Sequence, residues 1–437
     1  MLLREHITKL WGGLVNIKMG NFILKHKLFI SILVIFLLVC VFTLTDKKAI
    51  EMWQYEGTIL ENVMPAVSGD MYVDKSNSIY LFDSAVEPLI EFAPYEPPPL
   101  EELDNFVPPL KEEWMGSMEE VFNRSVVRLF KTEPNGKPQL LFQELGQASY
   151  WWRSNDIKTI YILTQWRDAK KKNESPYLTL WKSTDSGNSF AKLRWNNHQI
   201  GRGNAFGIYF DDQDLNGYIF VEKNILLQTN DSGATWSKLY IPHTDYAPLP
   251  DSNSNIDAAT VDKDGNLLFS LFKEGGSSIY EIPNNNKETD LSQIQAKYQI
   301  SDKRILNITS IPNNEGLYFF YLSCKDQQCT WYKKDKKNQP LHFAHFLNGN
   351  YITDSSLGFF APIKKVYSDN VGKIAVILNI INSSDNKLLL SNNYGKTWMD
   401  EDMTGVAVIS NYIDLKKETY WQFRMFNEVY LAKDIFK

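Results

Sequence analysis

From about residue 126 onward, short apolar runs alternate with clusters of Gly, Asn, Asp and Ser. Val126–Phe130, Gln139–Phe142, Leu178–Trp181, Ile225–Leu227, Leu239–Ile241, Leu267–Phe272, Ser278–Ile282, Leu317–Leu322, Lys387–Leu390, Thr419–Phe423 and Val429–Leu431 all have strand length and strand composition. The intervening clusters carry turn formers, so the pattern predicts successive β-hairpins and an all-β domain. One run is different. Residues 28–45 are mainly apolar and uncharged, and as a helix they extend about 27 Å, enough to cross a bilayer core.

Three turn clusters are copies of one another. They start at Ser183, Thr229 and Ser391 and share the pattern Ser/Thr-x-Asp/Asn-x-Gly-x-Ser/Thr-aromatic. Asp185, Asp231 and Asn393 can accept hydrogen bonds from backbone N–H groups across the turn. Gly187, Gly233 and Gly395 permit a positive φ. Phe190, Trp236 and Trp398 close each copy and can fold back into an apolar layer. A repeat of this kind signals a repeat architecture.

These eight-residue motifs resemble the Asp-box, or BNR-repeat, family found in sialidases and other β-propellers. The resemblance implies that each box lies at the turn between the two outer strands of a blade, away from the central ligand-binding face. It makes the three Asp/Asn residues turn formers and the three aromatics blade-core residues, none of them catalytic. The first two boxes lie one four-stranded blade apart, and the gap to the third holds two further units, around Gly265–Ile282 and Gly316–Tyr332. If the strands at 126–142 and 419–431 share one blade and close the ring, six blades result; seven follow if residues 71–92 contribute strands.

Charge and hydropathy divide the chain into four parts. Residues 1–27 carry Arg4, Lys9, Lys18, Lys25 and Lys27 against Glu5, so the positive-inside rule puts this basic leader in the cytoplasm. Residues 28–45 form a transmembrane helix. Residues 46–120, with a Pro-rich stretch at 93–112, form a stalk that either floats or wraps the propeller. Residues 121–437 form the propeller. No small-residue cleavage site follows the apolar run, so an uncleaved type II anchor is expected, with the propeller in a periplasm and the anchor in an inner membrane. The overall charge is −6, which leaves about −10 beyond residue 27. That balance argues against nucleic acid and suits a basic protein partner. Cys324 and Cys329 have a spacing that fits a disulfide across a hairpin in an oxidising compartment.

Candidate chemistry is sparse. Sialidases use a Tyr–Glu pair, an Asp acid and three arginines, the first from an Arg-Ile-Pro motif. That motif is absent here, and the nearest match is Arg304-Ile305-Leu306. The resemblance therefore reaches the repeats and not the active site. Asp212, Asp214 and Asn216 match the first half of a calcium loop, but Lys223 stands where a bidentate Glu is required, so a plain turn is the simpler reading. No cofactor is expected. Trp151, Trp152 and Arg153, with Trp166 and Arg167, are the candidate binding residues, because Trp and Arg are favoured interface anchors. The reading that follows is a membrane-anchored binding module for a protein or glycan, one version being an immunity protein against a secreted toxic effector. A sialidase-like glycoside hydrolase and an envelope assembly factor are the alternatives.

Overall fold

A computed structural model describes residues 53–58, 69–86 and most of 125–436, excepting the connections 168–174, 196–200, 243–255, 325–339 and several shorter ones. The transmembrane expectation at 28–45 and the Pro-rich stretch lie outside the described residues. Among the described residues no helix is long and apolar enough to cross a membrane.

Seven four-stranded antiparallel sheets form the fold. Blade 1 is β2 (Gly69–Val73), β3 (Ile79–Val86), β4 (Ser125–Thr132) and β5 (Gln139–Leu145). Blade 2 is β6 (Ala148–Arg153), β7 (Ile160–Trp166), β8 (Tyr177–Ser183) and β9 (Ala191–Lys192). Blade 3 is β10 (Ala205–Phe210), β11 (Gly217–Val221), β12 (Ile225–Thr229) and β13 (Ser237–Tyr240). Blade 4 is β14 (Ala258–Val261), β15 (Leu267–Lys273), β16 (Gly276–Ile282) and β17 (Tyr298–Ser301). Blade 5 is β18 (Lys303–Ser310), β19 (Leu317–Ser323), β20 (Leu341–Leu347) and β21 (Asn350–Ser356). Blade 6 is β22 (Ile363–Ser368), β23 (Ile374–Asn379), β24 (Asn386–Ser391) and β25 (Met399–Met403). Blade 7 joins β26 (Val408–Asp414), β27 (Thr419–Arg424) and β28 (Glu428–Ala432) to β1 (Trp53–Thr58) as its outermost strand.

The blade count is therefore seven, the outcome expected if residues 71–92 contribute strands, and not six. Residues 69–86 supply the two inner strands of blade 1, so β4 and β5 are its outer half and share nothing with the C-terminal strands. Closure falls to β1, which completes blade 7. Propeller strands thus begin at Trp53, well upstream of the boundary expected at 121.

Second strands of the blades are buried on both faces, as at Ile160–Leu163, Leu267–Phe272 and Leu317–Leu322. Each packs against neighbouring blades instead of facing water, which is why these strands read as continuous apolar runs and not as strict alternation. Tyr161, Phe210 and Trp236 bring two blades together in one such layer, with the Tyr161 and Phe210 rings stacked at 4.1 Å. Phe343 and Trp398 do the same between blades 5 and 6, at 5.1 Å.

Because successive strands are antiparallel, every inner strand starts at the same end of the ring. This upper end also receives the connections between second and third strands and those between blades. The lower end receives the remaining hairpin turns.

Candidate functional site at the axial mouth

The lower end is built from turns that satisfy themselves. In the first box the Asp185 carboxylate accepts from Ser189 N–H at 2.9 Å and from Ser189 Oγ at 2.6 Å, while Ser183 Oγ accepts from Gly187 N–H at 2.8 Å. Asp231 with Thr235, and Asn393 with Thr397, repeat this geometry. The second-last central residue and the Gly of each box have positive φ, 61° and 86° at Ser186 and Gly187. Hydrogen bonds from Ser189 and Ser183 hold the Asp185 carboxyl below the ordinary value. All three boxes join the third and fourth strands of their blades, as the resemblance implied.

A second set of turns joins first to second strands, and an aspartate organises it too. Asp74, Asp262 and Asp369 each accept backbone N–H groups two and four residues on. Asp211 accepts from Leu215 N–H, and Asp414 from Lys416 and Lys417 N–H. The calcium candidates sit in the Asp211 turn and point apart. Asp212 accepts from Asn155, Asp214 pairs with Lys182 at 3.3 Å, and Asn216 donates to Asp211 at 2.6 Å. No three-membered group of His, Cys, Asp or Glu able to hold a metal occurs among the described residues.

The upper end is different. A cavity of about 430 Å³ opens there across the starts of the inner strands of blades 1 to 3. Asp70, Phe82 and Asp83 of blade 1, Ser149, Tyr150 and Trp151 of blade 2, and Phe206–Tyr209 of blade 3 line it. Trp151 stacks on Phe82 with centroids 5.3 Å apart and rings 11° from parallel. Its indole N–H donates to Asp70 Oδ2 at 2.7 Å, and Lys365 Nζ reaches Asp70 Oδ1 from blade 6 at 2.5 Å. Gly207 leaves room for the Tyr209 ring, which a Cβ there would approach to 2.8 Å.

Burial would raise the Asp70 carboxyl, but the Lys365 ammonium and the N–H groups of Trp151 and Met71 outweigh it and leave it below the ordinary value. The Asp70 side chain keeps 40% of its surface and Lys365 28%, so solvent screens the pair. Asp83 is closed off by contrast, held by a two-point contact from Arg128 at 2.9 and 2.8 Å. Burial pushes the Tyr209 hydroxyl up to about 12, with Tyr150 adding to it, and raises Tyr150 as well.

Below this layer the inner strands supply a second one. The Arg153 guanidinium lies 3.4 Å over the Tyr72 ring, Tyr72 meets Tyr412 edge-on at 5.0 Å, and Tyr412 meets Tyr367 at 6.1 Å. Residues from blades 1, 2, 6 and 7 thus converge on the axis.

The five candidate binding residues are divided by this arrangement. Trp151 lines the cavity and Arg153 belongs to the axial layer beneath it. Trp152, one residue between them, points the other way and packs on Phe210 at 5.2 Å in the layer between blades 2 and 3. Trp166 and Arg167 lie at the end of β7, outside the cavity lining, with the Trp166 indole nitrogen buried. Asp70, Phe82, Tyr209 and Lys365 were missed by sequence reasoning. The signal for them was positional: each lies on a first or second strand, legible only once the blades are in register.

Cys324 is disulfide-bonded at the upper end of blade 5, and Cys329 lies outside the described residues. Arg128 pairs with Asp83, Arg304 with the buried Asp257 at 2.7 Å, and Arg153 lies over the Tyr72 ring.

Topology and axial mouth together define the chain as a seven-bladed β-propeller. No protein-family description matches it, and no curated protein sequence does. Among solved structures it is similar to YCF48 bound to D1 peptide, at 10% identity over 71% of this chain and 89% of that one, with a TM-score of 0.42. It is also similar to the GH74 enzyme of Niastella koreensis, at 15% identity over 66% of this chain and 45% of that one, TM-score 0.44. A chain of the mitotic checkpoint complex matches at 8% identity over 87% and 93%, TM-score 0.47. Likeness at this level speaks of the fold alone.

Proposed function

We propose that this propeller is a binding module that receives a protein partner at its upper axial mouth. The observation that carries the reading is the contrast between the two ends. The lower end carries hairpin turns whose polar groups bond one another, together with the 283–297 connection of blade 4. The upper end opens into a cavity lined by Trp151, Tyr150, Tyr209 and Asp70. Aromatic anchors that offer a ring and a polar tip in a concave site are what a hot spot requires. Rigid blades beneath keep the ordering cost of binding low.

The finer reading adds a setting. The apolar run 28–45 and its basic leader make an inner-membrane anchor, with the propeller in the periplasm, and an immunity protein that neutralises an incoming toxic effector fits there. A glycan remains the other ligand class that Trp and Tyr faces serve. The test is capture with the full chain against a defined partner, starting with the product of any neighbouring toxin gene. Trp151→Ala combined with Tyr209→Ala should abolish retention, while Lys238→Gln on the outer strand β13 should not. Equal retention by both variants sinks the axial mouth as the site. Cell survival on co-expression with that toxin tests immunity separately.

A further inference from the structure

The cavity at the mouth is walled by aromatic rings and holds two carboxylates, Asp70 and Asp83. Each carboxylate has its own cation. Arg128 holds Asp83 at two points, and Lys365 reaches Asp70 at 2.5 Å. The lining is thus balanced in charge, although the whole chain carries −6. A charged side chain entering it would lose water and find the opposite charges already engaged, which is unfavourable.

What the lining does offer is hydrogen-bonding capacity. Tyr72, Tyr161 and Tyr218 each donate their hydroxyl to a backbone carbonyl. The hydroxyls of Tyr150 and Tyr209, both in the cavity lining, have no hydrogen-bond partner among the described residues. Burial raises both phenols above the ordinary value, so they remain donors at neutral pH. An acceptor stands in the same space. A carboxylate has about four lone-pair sites. Met71 N–H and Lys365 Nζ take Asp70 Oδ1, while Oδ2 takes only the Trp151 indole N–H. With 40% of the side chain open, Oδ2 can accept a second bond.

We propose that the mouth selects an uncharged amide, and that the partner seats an Asn or Gln side chain in it. The amide oxygen accepts from the Tyr209 or Tyr150 hydroxyl, and the amide nitrogen donates to Asp70 Oδ2. A carboxamide carries both functions on one flat, neutral group. A carboxylate would bring no donor and would face Asp70 as a like charge. An ammonium would enter beside Lys365 Nζ. The inference rests on the mouth being the binding end, and it makes hydrogen-bond matching, not net charge, the source of selectivity at this contact. A site built to hydrogen-bond one group rejects the analogue that lacks it.

The test uses the full chain in mild detergent with fluorescein-labelled pentapeptides Gly-Ser-Xaa-Ser-Gly, in which Xaa is Gln, Glu, Lys or Met, read by anisotropy. The Gln peptide should bind about fivefold or more tighter than the others, although total charge favours Lys. Its affinity should change little with added salt. Tyr209→Phe and Tyr150→Phe keep the rings, and at least one should weaken the Gln peptide about fivefold while sparing the Met peptide. Neither should lower the melting temperature, since no internal bond is lost. Tyr240→Phe removes a hydroxyl from the outer strand β13 and should change nothing. Benzophenone-tagged versions of the peptides locate binding, and crosslinks on β2, β6 or β10 mark the mouth. If Met binds there as well as Gln and loses as much in the Tyr→Phe variants, the amide is a main-chain one and the side-chain assignment is overturned. If Lys or Glu binds best there, or if both Tyr→Phe variants bind the Gln peptide normally, amide selection is wrong and the mouth survives as a binding end. Crosslinks confined to other strands, or no binding by any peptide, bring down both readings.

Discussion

Tyr161 of blade 2 donates its hydroxyl to the carbonyl of Ser232, inside the box of blade 3, at 2.6 Å. The box thus stabilises its own hairpin and also serves as an acceptor for the preceding blade. Tyr218 bonds to the next blade in a similar way, donating to Gly265 O at 2.8 Å in the Asp262 turn. Burial drives the Tyr161 hydroxyl far above the ordinary tyrosine value, so it is a permanent donor. Tyr161→Phe keeps the stack on Phe210 and removes only this bond. Lys182 Nζ also reaches Ser232 O, so the carbonyl is not orphaned. A loss of about 1 kcal/mol in urea unfolding is expected; an unchanged midpoint would show that the bond between blades contributes nothing.

The third box already carries Asn393 where the others carry Asp, with its amide oxygen taking Thr397 N–H at 3.0 Å and its amide nitrogen donating to Thr397 Oγ1 at 2.7 Å. Asp231→Asn should therefore leave stability near neutral pH almost unchanged. Asp231→Ala removes the acceptor and should cost about 1 kcal/mol. Thermal denaturation of the pair decides this; equal losses would mean that charge, not hydrogen-bond geometry, makes the turn.

The same substitutions separate under acid. Ser189 and Ser183 hold the Asp185 carboxyl low; at Asp231, burial pushes upward and the Thr235 and Thr229 bonds prevail. A carboxyl with a depressed folded pKa adds stability that is present above its unfolded pKa, near 3.8, and is lost as pH falls through the lower folded value. Acid unfolding should thus be shallower in Asp185→Asn/Asp231→Asn than in the parent over that window. An identical acid limb in both proteins counts against the assignment.

Arg304 and Asp257 form an almost fully buried pair, with side-chain exposures of 5% and 1%. Removing one partner strands a charge in the interior, so Arg304→Met or Asp257→Leu alone should cost about 3–5 kcal/mol. Combining them should recover much of that, because two apolar side chains leave no orphaned charge. The double-mutant cycle by chemical denaturation tests it, and purely additive losses would contradict the pairing.

At the mouth, Trp151→Phe keeps an aromatic ring beside Phe82 but leaves Asp70 Oδ2 without its indole donor. Asp70 is partly solvated, so folding should suffer little, while partner affinity should drop several-fold. Calorimetric titration with the partner checks this; unchanged affinity would mean that the indole N–H does not orient the site.

Most of the blade order could be read from the boxes, because their hydrogen bonds are local and each residue of the motif has its own job. Blade 1 could not, since it has no box and its strands are split by the 87–124 connection. A second periodic mark was nevertheless present: Asp74, Asp211, Asp262, Asp369 and Asp414 each stand at the turn into a second strand. Three of them follow Val or Ile directly, and reading them as a register would have given blade 1 its inner strands. The site was less legible. Trp151 and Trp152 are adjacent and chemically alike, yet strand alternation sends one to the mouth and the other to the core, a parity that follows from register and not from residue type. Lys365 and Asp70 stand far apart in sequence and meet only because the ring closes.

The closure by β1 also gives the molecule a mechanical seam. The first and last strands of the ring share one sheet, so the circle is completed by hydrogen bonds alone, with no covalent hoop. Tension applied along the N-terminal segment would load the contact between β1 and β28 before any other, and loosening it would bare the edge of β28 for pairing with another chain. A tether on that side would therefore pull directly on the clasp of the ring.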